Sequence, residues 1–452
     1  MSDTIAAIAT GAQVAAIGIV RLSGPEAIPL ADRLFHPLSG GPVSAREDRK
    51  LVYGELRGRD GALLDLCLCT VSRGPDSYTG EDTAEFQCHG SPVVLRTLLE
   101  ELFALGARQA GPGEFTKRAF LNGRMELCAA EAVADIIDAE TAEAVRNAAG
   151  QLSGAIGQRV GAIYASLGDI SAHYHAVLDY PDEDIEDFTL AQYAGTLEDA
   201  AADLRALLGT FERGRLLHSG IPTAIVGRPN AGKSSLLNAL LGYDRAIVTA
   251  VPGTTRDTIE EKLLLGGQLL RLTDTAGIRE TDDPVEALGV RRSRAALESA
   301  DLVLALVDGS EEFTAEDAEI LRAAERAPHA LVLLSKDDLA RRAETLPTSL
   351  PVIPISVVSG EGLSALEEAV RALYPLPAVP AGEILTNARQ AEAVERALEY
   401  LEAACSAMED GMTADIVLTE TEGAMSALGE LSGRSVREDV TNRIFQRFCV
   451  GK

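Results

Sequence analysis

Tryptophan is absent from this chain of 452 residues, and aromatic side chains make up only 4% of it. Leucine, isoleucine, valine and alanine must therefore fill the core, and an apolar content of 46% excludes a disordered chain. Positive charge is also scarce, because 41 basic against 69 acidic residues give a net charge of -28. This acidity argues against broad nucleic-acid binding, although a local basic groove or RNA delivered by a partner protein stays open.

The chain also lacks CxxC pairs and any apolar run of about 18 residues or more. Neither Cys67-x-Cys69 nor Cys88-His89 matches a common zinc spacing, so we predict buried thiols there rather than a metal site. The first residues contain no basic region, so we expect no signal peptide, and the length suits two to four domains. We therefore expect a cytoplasmic protein without membrane association.

A phosphate-binding motif is present in the middle of the chain. Residues 227–234 read GRPNAGKS and match GxxxxGK(S/T), with an apolar run before them and a helix-forming run after them. Backbone N–H groups of such a loop face a polyphosphate, Lys233 reaches the outer phosphates, and the Ser234 hydroxyl can ligate Mg2+. The flanking strand and helix disfavour the alternative, an ordinary glycine turn.

Four further motifs follow in the order that GTPases use. GTTRD at 253–257 resembles switch I, DTAG at 274–277 resembles switch II, SKDD at 335–338 replaces NKxD, and SVV at 356–358 stands at the base-supporting loop. Thr255 is expected to join Ser234 on Mg2+, and Asp338 to select guanine by accepting two N–H bonds. The predicted GTP contacts are Asn230, Ala231, Gly232, Lys233, Ser234, Ser235, Thr249, Thr254, Thr255, Asp274, Thr275, Ala276, Gly277, Ser335, Lys336, Asp338, Ser356, Val357 and Val358.

Two departures from the usual GTPase pattern are Ser335 for Asn and Val357 for Ala. A serine makes fewer bonds than an asparagine amide, so we predict intact guanine specificity with weaker affinity. Ile278 follows the DTAG motif, so the water-orienting Gln of Ras-type GTPases is missing and another group must act.

Both ends of the chain contain long, specific stretches, namely DTIAAIAT at 3–10, GIVRLSG at 18–24, SYTGED at 77–82, GPGEFTKRAFLNGR at 111–124 and the final CVGK. These stretches resemble those of the MnmE (TrmE) family of tRNA-modification GTPases. In that family the N-terminal domain dimerises and binds a one-carbon-loaded tetrahydrofolate, in the 5-formyl or methylene form. The turn at 11–16 departs from the family pattern and bears on the geometry near the implied folate pocket.

The resemblance implies further site residues. Glu286 matches the family's catalytic, water-orienting glutamate, and the C-terminal Cys449 is a possible reactive thiol. K+ would be bound at Asn230, Thr249, Val251 and Thr254, and folate at Arg21, Glu85, Arg124 and Lys452.

The function that the resemblance implies is a K+-dependent GTPase that hydrolyses GTP. With an FAD-containing partner, MnmG, it would add aminomethyl or carboxymethylaminomethyl groups at carbon 5 of the wobble uridine of certain tRNAs. The expected assembly is a homodimer that joins the partner in a heterotetramer or larger complex, with tRNA bound largely through the partner. The alternatives are a regulatory GTPase switch, for instance in ribosome assembly, and a folate-binding protein with a vestigial GTPase.

The predicted architecture is multidomain, with α/β and α parts. Residues 1–118 form an α/β folate-binding and dimerisation domain, and residues 218–378 a Ras-like P-loop domain with a mainly parallel sheet. Residues 119–217 and 379–452 are helical and either pack together as one domain or form two separate units. One helix is predicted from Leu190 to Leu217, and Gly266-Gly267 predicts a hairpin turn that makes one sheet edge antiparallel.

Overall fold

The computed structural model describes most of the chain, namely residues 3–179, 190–243, 261–272, 297, 300–343, 346–375, 379–433, 438–446 and 448–452. The chain divides into two compact units. The first contains Met1–Asp138, Ala148–Arg205 and Glu392–Lys452, and the second contains Ala139–Asn147 and Ala206–Ala391. The domain limits at 118, 217 and 378 stay predictions. Among the described helices, none is both long enough and apolar enough to cross a membrane.

The N-terminal part of the first unit is a sheet. Its described strands are β1 (Ile5–Ile8), β2 (Ala15–Ser23), β3 (Phe35–Pro37), β4 (Val52–Arg57), β5 (Leu63–Ser72), β6 (Thr83–Gly90) and β7 (Arg108–Gln109), in the spatial order β3-β4-β5-β6-β2-β1-β7. Neighbouring strands are antiparallel, except that β7 runs parallel to β1. Antiparallel sheets commonly have strands in which apolar and polar residues alternate, so that one face of the sheet is buried and the other is exposed.

Strand β6 illustrates this alternation. Ala84, Phe86 and Cys88 are buried on the inner face, where α1 (Ala27–Leu34) and α2 (Pro92–Ala104) cover the sheet. Glu85, Gln87 and His89 point to the outer face, which is more exposed. The two faces therefore offer different chemistry, with thiols and apolar groups inside and charged groups outside.

Helices make up the rest of the first unit. They are α3 (Glu114–Leu121), α4 (Leu127–Asp138), α5 (Ala142–Leu152), α6 (Ala155–Asp179), α7 (Leu190–Leu208), α12 (Ala388–Glu409), α13 (Ala414–Ser432) and α14 (Glu438–Phe445), with the ends of α5, α7 and α12 in the second unit. Helix α13 packs against α4 and α6, and α14 packs against α3. Segments from both sides of the P-loop region thus contact one another within this unit.

The single helix predicted from Leu190 to Leu217 is wrong. The structure has two helices, α7 and α8 (Phe211–Ser219), which are separated at Gly209 and Thr210. The Thr210 hydroxyl donates to Leu207 O at 2.7 Å and accepts the N–H of Leu385 at 3.0 Å. This side chain offers the backbone an alternative to the helical hydrogen bonds, and the preceding glycine lowers helix propensity.

The second unit is built on a mainly parallel sheet. Its described strands are β8 (Ile221–Gly227), β9 (Glu261–Leu265), β10 (Gln268–Leu272), β11 (Leu302–Asp308), β12 (His329–Ser335) and β13 (Val352–Pro354), in the order β13-β12-β11-β8-β10-β9. Only β9 is antiparallel within this described set, and it pairs with β10 through the predicted hairpin at 266–267, which is confirmed. The predicted class, α/β with a parallel P-loop sheet plus helices, is also confirmed.

Helices cover both faces of this sheet. Leucines of α9 (Lys233–Tyr243) and α11 (Leu363–Leu373) pack on one face, and Leu321 of α10 (Ala315–Ala324) packs on the other. Because β8, β11, β12 and β13 run parallel, their carboxyl ends meet at one edge of the sheet. The loops after these strands therefore lie together, as in other open α/β sheets that bind ligands at this edge.

Candidate functional site

The phosphate-binding loop lies between β8 and α9. Two of its residues have left-handed backbone conformations, Asn230 with φ 62° and Gly232 with φ 99°. Asn230 is exposed, Ser234 is half-buried and Ser235 is exposed. In a helix, each N–H donates to the carbonyl four residues earlier. For the first turn of α9 that carbonyl would lie before the helix, so these N–H groups have no acceptor within it. The loop thus presents backbone donors at the positive end of a helix, which favours an anion.

Lys233 lies within this loop. Its Nζ donates to Gly227 O and Arg228 O, at 2.7 Å each, and burial lowers the pKa of the ammonium group. Among the described residues, no carboxylate lies within ion-pair distance of Lys233. A partly buried cation held by neutral carbonyls gains from a bound anion, so this geometry fits a polyphosphate.

Ser335 braces the phosphate loop from the neighbouring strand end. It is 3% exposed, and its Oγ donates to Ala231 O at 2.7 Å, with Val307 O at 3.2 Å as the second acceptor. A hydroxyl has one hydrogen, so these two carbonyls share it. The brace expected of an asparagine is therefore present here, in a form with a single donor.

Lys336 adopts the left-handed conformation, with φ 60°, and its Nζ lies 2.6 Å from Asp308 Oδ2. Asp308 ends β11 and also accepts from the N–H and hydroxyl of Ser310. Burial raises the pKa of Asp308, but the bonds from Lys336 and Ser310 together hold it below its ordinary value. This ion pair fixes Lys336, which lies two residues before Asp338, the residue predicted to bind the base.

Asp338 is exposed at the same edge, as guanine recognition requires. The Ser356 hydroxyl donates to its Oδ1 at 2.6 Å, and the N–H of Ser359 donates to Ser356 Oγ at 3.2 Å. Ser356 is buried, Val357 is partly buried and Val358 is exposed. The buried hydroxyl of Ser356 thus orients the Asp338 carboxylate, and the exposed side of the carboxylate stays accessible to a ligand.

Several predicted contacts lie outside the described residues. These are Thr249, Val251, Thr254, Thr255, Asp274, Thr275, Ala276, Gly277 and Glu286. Of the residues predicted for ions, only Asn230 and Ser234 fall in the described part of the chain. The roles of the undescribed residues, of Asn230 and Ser234, and of the other predicted GTP contacts stay predictions.

Arg228 is a site residue that the sequence analysis missed. Its Nε donates to Asp317 Oδ1 at 2.8 Å, and its NH2 group lies 3.2 Å from Glu311. Asp317 also caps α10 in a capping box with Thr314. The T-x-x-D signature of that box was visible in the sequence, so a fixed carboxylate near the loop could have been found.

Arg21 and Glu85 form a second candidate site, on the outer face of the N-terminal sheet. They are paired in register across β2 and β6, and Arg21 Nε donates to Glu85 Oε1 at 2.6 Å. The guanidinium carbon of Arg21 lies 5.8 Å from the ring centre of Tyr78 and 5.7 Å from that of Phe115. Aromatic contacts and the carboxylate hold this cation in one position.

Thr70 adds a polar group that the sequence analysis missed. It pairs with Glu85 across β5 and β6, so it shares the outer face with Arg21. Its hydroxyl is buried and has no hydrogen-bond partner among the described residues. An unsatisfied hydroxyl beside a carboxylate fits a site that takes a polar ligand, because leaving it unpaired costs stability.

The predicted residue Arg124 is not joined to this pair. It is 40% exposed on its side chain, and its NH1 group lies 3.9 Å from Asp76. No ion pair or hydrogen bond among the described residues connects it to Arg21 or Glu85. It follows α3 beside the 74–82 loop, where Asn122 Nδ2 donates to Thr79 O.

The C-terminal segment packs on the loop before α3. The N–H of Phe115 donates to Lys452 O at 3.1 Å, the N–H of Gly113 donates to Cys449 O at 3.3 Å, and Pro112 and Val450 form a bridge. Because the Phe115 ring also touches Arg21, the structure brings the main chain of Lys452 close to the Arg21 site. The Cys449 side chain is exposed.

Gly451 explains why the tail fits closely. Its φ is 101°, and a Cβ at this position would lie 2.4 Å from Ile8 O at the end of β1. Only glycine allows both this conformation and this approach.

Comparison with known proteins covers the whole chain. The family model described as "GTP-binding protein TrmE N-terminus" matches residues 4–124, and that described as "MnmE helical domain" matches residues 127–449. The tRNA modification GTPase MnmE of Symbiobacterium thermophilum is 43% identical over 100% of this chain and 99% of its own length. That of Chloroflexus aurantiacus is 43% identical over 100% of both chains.

Among solved structures, the G domain of the T. maritima FeoB iron transporter is 25% identical and covers 33% of this chain and 96% of its own. The TM-score of this match is 0.24. The full-length matches are decisive, and with the P-loop geometry they show that this chain belongs to the MnmE (TrmE) family of tRNA modification GTPases and is a GTP hydrolase that acts in tRNA modification.

Proposed function

We propose that this protein is a K+-dependent GTPase that modifies carbon 5 of the wobble uridine in certain tRNAs. It would act in the cytoplasm with an FAD-containing partner of the MnmG type, adding aminomethyl or carboxymethylaminomethyl groups from a folate one-carbon unit. The observation that supports this most is the full-length similarity to MnmE proteins, together with a folded phosphate loop and an oriented Asp338 at one sheet edge.

In this proposal, each described residue of the nucleotide site has one task. Lys233 exchanges its carbonyl partners for phosphate oxygens, and the N–H groups of the loop and of α9 bind the same polyphosphate. Asp338 accepts two N–H bonds from guanine, and Ser356 keeps its carboxylate in place. Ser335 holds the phosphate loop to the end of β12.

Hydrolysis in this proposal depends on ions and on a positioned water. Ser234 and Thr255 would hold Mg2+, and K+ would be held by Asn230 together with the 249–254 segment. Both cations would offset the negative charge that builds up on the phosphates during the reaction. Glu286 would orient the attacking water, in place of the missing Gln.

A tetrahydrofolate in the 5-formyl or methylene form would bind at Arg21, Glu85, Arg124 and Lys452. A pterin offers amide-like donors that Glu85 can accept, and its carboxylated tail suits the arginines. The Thr70 hydroxyl, which has no hydrogen-bond partner in the described part of the chain, and the fixed Arg21 guanidinium support a polar ligand on this face. Cys449 would lie near the same ligand through the contact of the tail with the loop before α3.

Homodimer formation is part of the proposal. The outer face of the N-terminal sheet exposes several large apolar side chains, namely Ile17, Tyr53 and Leu66. The strand registers place them on the same face as Arg21 and Glu85. A second copy of the chain could cover this apolar area, and larger complexes would then add the MnmG-type partner, which would supply most of the tRNA contact of this acidic chain.

Nucleoside analysis of tRNA from a deletion strain tests the function. We expect the C5 modification of the wobble uridine to disappear and to return when the full chain is expressed, but not when Asp338→Ala is expressed. If the level of the modified wobble uridine is the same in the deletion strain as in the parent strain, the proposal is contradicted and a regulatory GTPase switch is favoured. Restoration by the Asp338 variant would instead indicate a folate protein with a vestigial GTPase.

A further inference from the structure

The buried face of the N-terminal sheet brings together a carboxylate and two thiols. Leu68 pairs with Gln87 in the register of β5 and β6, so Cys67 and Cys88 are the next opposite pair. Asp65 lies two residues before Cys67, on the same face of β5. The carboxylate oxygen and the two Sγ atoms all lie within 4.8 Å of one another.

These three groups form a cluster of potential negative charge in the core. Cys67 and Cys88 are 4% and 2% exposed, and Cys69 on the same strand is fully buried. Zn2+ binding would release the two thiol protons to solvent, and the charge of the ion would offset that of the two thiolates and the carboxylate.

Asp65 has capacity for one more partner. Its Oδ1 accepts from the N–H of Leu66 at 2.8 Å and lies 2.7 Å from His89 Nδ1, and its Oδ2 accepts from the N–H of His89 at 2.8 Å. A carboxylate has about four lone-pair sites, so one remains on Oδ2. Hydrogen bonds to a ligating carboxylate from surrounding groups are typical of metal sites, where they fix the ligand's orientation.

We propose that Asp65, Cys67 and Cys88 bind Zn2+ between β5 and β6. Two thiolates and one carboxylate suit this ion, and zinc–sulfur bonds of about 2.3 Å place two sulfurs about 3.8 Å apart in a tetrahedral site. The cluster therefore needs only a small contraction. A water molecule at the Asp65 end, where 9% of the side chain is exposed, would supply the fourth ligand.

Pairing of β5 and β6 brings together residues whose spacing along the chain does not indicate a metal site. Cys67 and Cys88 come from different strands, so they match no short zinc motif. The cluster lies on the inner face of the sheet, whereas Arg21 and Glu85 lie on the outer face. Zinc here would join two strands and stabilise the N-terminal sheet, independently of GTP or folate.

Titration of the metal-free full chain with Co2+, a spectroscopic substitute for Zn2+, tests the site. We expect a near-ultraviolet sulfur-to-cobalt charge-transfer band that saturates at one equivalent and disappears when Zn2+ is added. Oxygen ligands such as Ser234 give no such band, so metal at the GTP site does not interfere. Cys67→Ser and Cys88→Ser should each abolish the band. Cys128→Ser, at a buried cysteine outside the cluster, is the matched control and should keep it, as should Cys405→Ser.

Asp65→Asn changes one ligand without removing a thiol from the core. We expect it to weaken Co2+ binding about tenfold or more. The amide also loses one acceptor for the bonds from Leu66 and His89, so circular dichroism must first show that the metal-free variant is folded. The proposal is overturned if the parent chain shows no charge-transfer band, or if the band survives in Cys67→Ser or Cys88→Ser. Unchanged affinity in a folded Asp65→Asn would remove Asp65 as a ligand and overturn the three-ligand site.

Discussion

Single hydroxyl groups position both loops of the nucleotide site. Ser335 holds the phosphate loop through Ala231 O, and Ser356 holds the carboxylate of Asp338. The bond from Ser335 has a neutral carbonyl as acceptor, and the bond from Ser356 has a carboxylate. Both serine hydroxyls are buried, so a polar group that loses its bond there costs stability. Small changes at these residues should therefore alter nucleotide binding without altering the fold.

Ser335→Ala should weaken GDP and GTP binding about fivefold. The substitution removes the hydrogen bond to Ala231 O, and a neutral hydrogen bond contributes about 1 kcal/mol. Fluorescence titration with a labelled guanine nucleotide measures the change. Ser153→Ala, at an exposed position of the helical region, is the control and should bind as the parent does. Equal affinities in Ser335→Ala and the parent would show that the brace does not support binding.

Asp338→Asn should change the base that is bound. An amide offers a donor where guanine needs two acceptors, so GTP affinity should fall on the order of 100-fold or more. Xanthosine triphosphate, which has a carbonyl in place of the guanine amino group, should bind the variant better than GTP does. Competition binding with both nucleotides measures the preference. A variant that still prefers GTP would exclude Asp338 as the base-reading residue.

At the scale of elements, two arginines tie β1, β7 and α3 together. Arg108 and Arg118 both contact Asp3, and both also contact Glu114 at the start of α3. Hydrogen bonds from Arg108 and, to a lesser degree, Arg118 lower the pKa of Asp3 to about 2 from its ordinary value of 3.8. A network of several charges is worth more than an isolated surface pair.

Acid unfolding tests this network. Because the folded pKa of Asp3 is depressed, its stabilising effect is present above pH 3.8 and is lost as the pH falls towards about 2. Asp3→Asn should therefore be less stable than the parent near neutral pH, and the difference should vanish at the acid end of that window. Urea unfolding at a series of pH values measures it.

The control for that experiment is Asp410→Asn, at an exposed position just after α12. This substitution removes a carboxylate outside the Asp3 network, so it should not reproduce the loss of stability of Asp3→Asn near neutral pH. A constant difference between Asp3→Asn and the parent down to pH 2 would contradict the assignment, since the loss would then not depend on the ionisation of Asp3.

The attachment of the C-terminal tail depends on Gly451. Gly451→Ala would place a Cβ 2.4 Å from Ile8 O and would strain a residue with φ 101°, so the tail should detach. Hydrogen exchange of the Phe115 amide, which donates to Lys452 O, should then become at least about tenfold faster. Gly411→Ala is the matched control, because it has a positive φ but open space around it. Unchanged protection of Phe115 in Gly451→Ala would rule out this close fit.

At the scale of the whole molecule, patterns local in sequence were predicted well. The hairpin at 266–267, the phosphate-binding loop between a strand and a helix, and the mainly parallel sheet follow from short-range patterns and are present in the structure. The break at Thr210 was missed. Gly209 and the bond from the Thr210 hydroxyl to Leu207 O are local, but the same hydroxyl also accepts the N–H of Leu385, which lies far along the chain. Strand β6 was also missed, although Glu85 within it was predicted as a site residue.

Pairing between distant segments accounts for the parts of the sites that could not be predicted. The Thr70 hydroxyl beside Glu85 and the Cys67–Cys88 pair depend on strand register, which a single sequence does not specify. The contact of the C-terminal tail with Phe115 likewise joins the two ends of the chain. Such contacts become visible only when the strands and helices are assembled.

The measurement that tests the central claim most directly is GTP hydrolysis in K+ compared with Na+ at the same ionic strength. We predict at least about tenfold faster turnover in K+ for the parent chain, and loss of this difference in Asn230→Ala while GTP still binds. Equal, slow rates in both salts with GTP bound would contradict a K+-dependent mechanism for this protein.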